Sequence, residues 1–212
     1  MSLVSSMIRL IRWNGITVNT LESLDYHWQK PYQLALLKEN GIPVPEFVCG
    51  NDSKMFLAFM SQKGRREFVY KSLSGIGNAV LTTREYFEMH QRSLKFEPVL
   101  IQDLVKGKNL RIYILDGRVI AAGEIVHKRF DSGTDIRAIV PLEPPKAMKR
   151  AVLKAARLLD MTFTGVDVVY NEETGEFHIL ECNDPAGFAP FERLTNVPIA
   201  RMLADFLVDN AS

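Results

Sequence analysis

The stretch covering residues 164–184 leaves this chain few options. Two strand-like runs, 164–170 (TGVDVVY) and 178–184 (HILECND), flank Asn171-Glu172-Glu173-Thr174-Gly175. That connector is rich in helix and strand breakers, so the runs predict an antiparallel hairpin. Successive strand residues point to opposite faces, so Glu181 and Asn183 share one face. If the register pairs residues of equal parity, Asp167 joins them, and Val166, Val168, Leu180 and Cys182 pack on the other side. Two carboxylates and one amide oxygen, with no thiol or imidazole among them, form a hard-oxygen donor set. Such a set suits Mg2+, which keeps several waters and bridges to phosphates. The same residues also fit an ordinary hairpin with a solvated acidic face, and the hairpin alone does not separate the two.

Composition narrows the classes. With 212 residues, 47% hydrophobic and 24% charged, the chain is ordinary globular material with enough length for a sizeable core. A formal net charge of +1 calls for neither nucleic acid nor an anionic membrane. No run of about 18 apolar residues is present, so no membrane span is expected. The opening MSLVSSMIRLIRW has only a short apolar stretch broken by arginine, which is unlike a signal peptide. Two cysteines, Cys49 and Cys182, make no disulfide framework and fit a reducing cytoplasm. Cys182 is expected to pack as a small hydrophobe.

Taken in order, residues 1–24 show no clear pattern beyond a turn at Asn14-Gly15. Residues 30–40 read as a helix with Leu34 and Leu37 inward and Gly41 as its stop. A short strand at 46–49 precedes a helix over 55–62 capped by Asp52 or Ser53, with Phe56 and Phe59 inward. Residues 67–72 (EFVYKS) form a strand that carries Lys71 at its end, before Ser72-Leu73-Ser74-Gly75-Ile76-Gly77. A lysine before a glycine-serine loop can hold phosphate, because glycine lets backbone N–H groups approach. The order of residues is not that of a Walker A loop. A returning strand at 78–81 and a helix to about 94 follow. Residues 99–105 (VLIQDLV) are a buried strand, and Asp116-Gly117 joins strands 109–115 and 118–126 as a hairpin. Residues 128–137, with Arg129, Asp131, Asp135 and Arg137, read as a loop. Pro144 and Pro145 open a helix to about 159 with Met148, Val152, Ala155, Ala156 and Leu159 inward. A short helix at 188–194 and a last helix from Pro198, with Ile199, Met202, Leu203, Phe206 and Leu207 inward, complete the chain. The mixture of helices with antiparallel hairpins predicts an α+β fold rather than a doubly wound parallel sheet.

These motifs, in this order, resemble the ATP-grasp fold and within it the RimK-like ATP-dependent carboxylate–amine ligases, over residues 29–210. The most specific part is GVDVVYNEETGEFHILECNDPAGFAPFERLTNVPIARMLADFL. The resemblance implies two lobes built on antiparallel sheets with flanking helices, and a nucleotide bound between them. It implies residues 29–101 as the N-terminal helix and lid lobe, residues 102–212 as the larger lobe, and residues 1–28 as a remnant or extension. The family commonly has an additional N-terminal domain, and the expectation is either a fragment without it or a reduced member that holds its second substrate differently. By the same match Asp167, Glu181 and Asn183 are the metal ligands, for Mg2+ or Mn2+. Lys30, Lys71, Gly75 and Gly77 hold the ATP phosphates. Gln102, Asp103, Leu104 and Val105 form the adenine hinge, and Asn109 takes the place of an aspartate near the ribose. Arg111 and Arg137 stabilise the transferring phosphoryl group and the oxyanion.

The implied activity is formation of an acyl phosphate from a carboxylate and ATP, followed by attack of an amine. The alternatives are a nucleotide-binding module without catalysis and a kinase that phosphorylates an acceptor. The carboxylate and amine, whether small molecule, peptide or protein tail, are not identified, and a homo-oligomer is compatible with the sequence.

Overall fold

The computed structural model describes residues 6–7, 10–11, 16–62, 64, 67–73, 79–90, 98–127 and 136–211. Among them the elements run α1 (Leu21–Trp28), α2 (Lys30–Glu39), β1 (Phe47–Gly50), α3 (Ser53–Met60), β2 (Phe68–Ser72), β3 (Val80–Thr82), α4 (Arg84–His90) and β4 (Val99–Asp103). Then come β5 (Lys108–Leu115), β6 (Arg118–His127), β7 (Ile136–Pro141), α5 (Lys146–Leu158), β8 (Phe163–Tyr170), β9 (Phe177–Asn183), α6 (Ala189–Thr195) and α7 (Ile199–Asp209).

Turn chemistry sets the larger sheet. Asp116 and Gly117 both take positive φ, 48° and 68°, as a two-residue hairpin between twisted strands requires. The β8–β9 connection is closed by Asn171, whose Oδ1 accepts from the N–H of Glu173 at 3.0 Å and of Thr174 at 3.3 Å. The five strands stand in the order β7-β6-β5-β8-β9, and every neighbouring pair is antiparallel. The smaller sheet has the order β1-β4-β2-β3, also antiparallel throughout.

Each sheet buries at least one face. Leu34 and Leu37 of α2 and Met148, Val152, Ala155 and Ala156 of α5 close over Leu110, Ile112, Ile114, Val166, Val168 and Ile179 of the larger sheet. On the opposite face Tyr113, Phe163, Ala121 and Ile139 pack with Phe191 and Ile199 of the last two helices. Phe56, Phe59 and Met60 of α3 and Phe87 of α4 cover Phe68, Val99 and Ile101 of the smaller sheet. Asp52 caps α3, its carboxylate accepting from the Lys54 N–H at 2.9 Å.

Strand β9 lies at the edge of its sheet, where unpaired backbone groups must find partners. Gln33 supplies them: its amide donates to the Cys182 carbonyl at 3.0 Å and accepts from the Cys182 N–H at 2.7 Å. The Ile179 N–H reaches the Pro43 carbonyl at 2.8 Å. Helix α2 is thereby fixed along β9.

Four expectations need correction. Leu180 does not pack with Val166 and Val168. The β8–β9 register shifts between Asp167 and Val168, so Val168 pairs with Ile179, which takes the core position and leaves Leu180 partly exposed in the bulge. Ile136 and Arg137 belong to strand β7 rather than to a loop, because β6 pairs with Ile136 and Ala138 on either side of a bulge at Arg137. Residues 128–135 and the expected Gly75 and Gly77 lie outside the described residues. The N-terminal region contains a capped helix, α1, with the Thr20 side chain accepting from the Ser23 N–H. Leu207 is 38% exposed rather than buried, because α7 turns its partly buried face through Met202, Leu203 and Phe206.

Gln33→Ala leaves a buried N–H and a buried C=O of β9 without partners, at about 1–3 kcal/mol each. Urea unfolding is expected to give a loss of about 2–6 kcal/mol; a loss within error of zero shows that the edge does not depend on this residue.

Candidate active site

The antiparallel registers draw a single polar row across the larger sheet. Arg111 on β5 stands opposite Asp167 on β8, and Asp167 stands opposite Glu181 on β9. Directly opposed residues on neighbouring strands point to the same face, so the three side chains lie side by side. Gly165 and Asn183 form the next pair on that face. Asp167, Glu181 and Asn183 therefore share one face, as the strand parity required.

Arg111 grips Asp167 with two bonds, Nε to Oδ1 at 2.7 Å and Nη2 to Oδ2 at 3.1 Å. The remaining guanidinium nitrogen lies over Gly165: a Cβ there would sit 2.8 Å from Nη1, so only glycine leaves that nitrogen room. Asn183 spends its Nδ2 on the Gly165 carbonyl and on Asp167 Oδ2, both at 3.0 Å. This orientation turns Asn183 Oδ1 away from Asp167. Lys30, the first residue of α2, reaches Glu181 Oε2 at 2.9 Å. The Gln33 clamp one turn further along α2 places it there.

Three cations and two carboxylates share the group. Burial pushes the Glu181 carboxyl up, but Lys30, Lys71 and Arg111 outweigh that and hold it below its ordinary value. Burial raises Asp167 above the ordinary carboxylate range, and the neighbouring Glu181 adds to the rise against the pull of Arg111. Arg111 stays above its ordinary value because Asp167, with Tyr113 and Glu181, outweighs the burial that would lower it. Burial lowers the Lys71 ammonium, with Lys30 adding to the fall and Glu181 and Asp167 opposing it. Lys71 thus belongs to the electrostatic group although it comes from the smaller sheet.

The other expected residues fall around this centre. Lys71 is opposed on β4 by Leu100, and Val69 by Gln102, so Lys71 and Gln102 occupy the same face of the smaller sheet. Gln102 is 3% exposed and its Oε1 is buried without a hydrogen-bond partner. Asp103 ends β4, with its N–H donating to Glu46 O at 2.9 Å, and the Leu104 N–H donates to Glu67 O at 3.0 Å. Leu104 and Val105 follow in the connection to β5. Asn109 is exposed, two residues before Arg111 on the same face. Arg137 is exposed on β7 and stands outside the Arg111–Asp167–Glu181 group.

The donor set fits a hard cation in company with phosphate. No group of three or more histidine, cysteine, aspartate or glutamate side chains gathers among the described residues. A site of two carboxylates and an amide oxygen is the partial oxygen set that Mg2+ completes with phosphate and water. The unpartnered Gln102 Oε1 is an acceptor of the kind an exocyclic amino group of a nucleobase satisfies.

A model of the RimK-like ATP-grasp domain matches residues 28–207. The chain belongs to that family. Among curated relatives, the "Probable alpha-L-glutamate ligase" of Shewanella halifaxensis (strain HAW-EB4) is 25% identical over 205 residues, which is 91% of this chain and 44% of that protein. The "Glutamate--LysW ligase ArgX" of Sulfolobus acidocaldarius is 23% identical over 211 residues, 92% of this chain and 73% of the relative. The first curated relatives are matched over only 44% and 42% of their own length, so this chain spans less than half of them. Among solved structures, "ATP-grasp ligase PsnB complexed with minimal precursor" superposes with a TM-score of 0.86 at 29% identity, covering 98% of this chain and 69% of that one. An ATP-bound D-alanine–D-alanine ligase of Bacillus anthracis, at 16% identity and a TM-score of 0.74, shares the ATP-grasp fold.

Gln33, Asn19 and Ser23 support the site and were missed in the sequence. For Gln33 a signal existed, since residues 33, 34 and 37 lie on one helical stripe and a polar residue there needs a buried partner.

The Lys30–Glu181 ion pair carries a pH signature. A depressed carboxyl contributes stability that is present above its unfolded value and lost as pH falls through the folded value. The stability difference between wild type and Lys30→Met is expected to be about 1 kcal/mol and flat above about pH 5, and to shrink toward about pH 3. A difference that persists unchanged at the acid end contradicts the pairing.

Proposed function

We propose that this ATP-grasp chain carries the nucleotide site of an ATP- and Mg2+-dependent ligase that activates a carboxylate as an acyl phosphate for attack by an amine. The observation that carries the reading is the in-register row Arg111–Asp167–Glu181, with Lys30 and Lys71 gathered on it from a helix and from the other sheet. Two carboxylates ringed by four cationic and amide groups are arranged to receive a polyphosphate with its metal, as phosphoryl transfer demands.

In this reading Asp167, Glu181 and Asn183 would hold Mg2+, which would supply neutralisation of the phosphate charge. Lys71 and Lys30 donate to phosphate oxygens. Gln102 Oε1 accepts from the adenine amino group, and the backbone of Asp103 to Val105 lines the base, with Asn109 toward the ribose. A substrate carboxylate oxygen bonds to the terminal phosphorus as the bond to ADP breaks; no general base is needed because the carboxylate is already ionised. The amine then bonds to the acyl carbon, phosphate leaves and the amine gives up a proton. Arg111 Nη1, the guanidinium nitrogen not used on Asp167, stabilises the developing charge on the oxyanion, and Arg137 joins it from β7.

Residues 29–101 and 102–212 are taken as lid and larger lobes, and residues 1–28 as an extension that supports them. The structures named for PsnB include a precursor peptide. A peptide is accordingly the first acceptor class to test. The site is assigned to the cytoplasm, where ATP and Mg2+ are supplied.

Calorimetry of ATP binding with and without Mg2+ tests the reading. Wild type is expected to bind more tightly with Mg2+, and Glu181→Gln to remove at least about tenfold of that gain. ADP release that requires both a carboxylate and an amine identifies a ligase, and a phosphorylated acceptor alone identifies a kinase. Binding without turnover reduces the chain to a nucleotide-binding module, and equal affinity with and without Mg2+ overturns the metal site.

A further inference from the structure

The ordering of Asn183 begins outside the family-matched segment. The family match opens at residue 28, yet two residues before it, Asn19 and Ser23, bond to the ends of β8 and β9. Asn19 forms a two-bond bracket with Phe163, donating from Nδ2 to its carbonyl at 2.6 Å and accepting at Oδ1 from its N–H at 2.7 Å. Thr20 caps α1, and this fixes the first turn that carries Ser23. Ser23 is fully buried, and its Oγ lies 2.7 Å from Asp184 Oδ2 and 2.8 Å from the Thr20 carbonyl. A hydroxyl has one proton to donate, and of the two acceptors the charged carboxylate draws it more strongly.

Asp184 is itself 4% exposed and follows Asn183 directly. A buried carboxylate must be hydrogen-bonded to stay in place. Asn183 is thus held from two sides along its main chain. Its carbonyl accepts from the Thr164 hydroxyl at 2.9 Å, and the next residue is anchored by Ser23. With the main chain fixed, the Asn183 amide can keep its Nδ2 on Gly165 and Asp167.

We propose that Ser23 is a positioning residue, which orients the Asn183 side chain toward Asp167 by tethering Asp184 to helix α1. The inference rests on the proposed metal role of Asn183 for its functional consequence, but the tether is testable without any ligand. Losing a partner one shell out from a metal ligand typically costs 10–100-fold in metal affinity.

The test uses the whole chain as wild type, Ser23→Ala and the double variant Ser23→Ala/Asp184→Asn. In the ligand-free chain, NMR is expected to show faster hydrogen exchange at the Asn183 side-chain amide in both variants. In calorimetry, the gain in ATP affinity on adding Mg2+ is expected to fall about tenfold in both, while the affinity for ATP without Mg2+ stays as in wild type. The double variant removes the buried unpaired charge, so it is expected to recover stability lost in Ser23→Ala without recovering the Mg2+-linked gain. Recovery of both together assigns Ser23 a merely structural role and overturns the inference, as does unchanged amide exchange in Ser23→Ala. A wild-type chain with no Mg2+-linked gain sinks the proposed function, and the amide exchange still decides the tether.

Discussion

Two carboxylates placed side by side on neighbouring strands repel one another, and the structure around Asp167 and Glu181 is organised by that fact. At a separation of about 5 Å and an effective dielectric of about 20, the repulsion is about 3 kcal/mol. Arg111 offsets it from the third strand of the same row, and Lys30 and Lys71 offset it from outside the sheet. The result divides the pair. Glu181 is held low by Lys30 and Lys71, whereas Asp167 is pulled upward by burial and by Glu181 against the pull of Arg111.

The row holds its shape because its weakest strand is supported along its length. Strand β9 is the edge of the five-stranded sheet, and Glu181 and Asn183 both lie on it. Gln33 occupies the Cys182 backbone, Pro43 takes the Ile179 N–H, and Ser23 holds the residue after Asn183. The bulge at Leu180 lets the strand change register between the core residue Ile179 and the polar residue Glu181. Edge strands bordering functional sites commonly carry such a bulge to re-aim a side chain.

Much of this was legible in order of locality. The β8–β9 hairpin could be read because its turn chemistry is contained in five residues, and the face shared by Asp167, Glu181 and Asn183 follows from strand parity. Helix α5 could be read from its apolar spacing. Strand β7 could not, because Ile136–Pro141 follows an unpatterned stretch and is a strand only through its pairing with β6. The Leu180 bulge was equally hidden: alternation in the sequence continues straight through it. Helical spacing puts Leu207 inward, but it stays 38% exposed on α7.

The sequence by itself determined most of the local elements, the shared face of Asp167, Glu181 and Asn183, and the family, since each rests on residues close together or on motifs in a fixed order. Only the tertiary structure decided which cation meets which acid and how the strand ends are held. Gln33 lies 149 residues from Cys182, Asn19 lies 144 from Phe163, and Ser23 lies 161 from Asp184. No periodicity carries information over such distances. Those bonds form because an edge strand and a buried carboxylate must be satisfied where they come to rest, by whatever polar side chain the packing of α1 and α2 brings alongside.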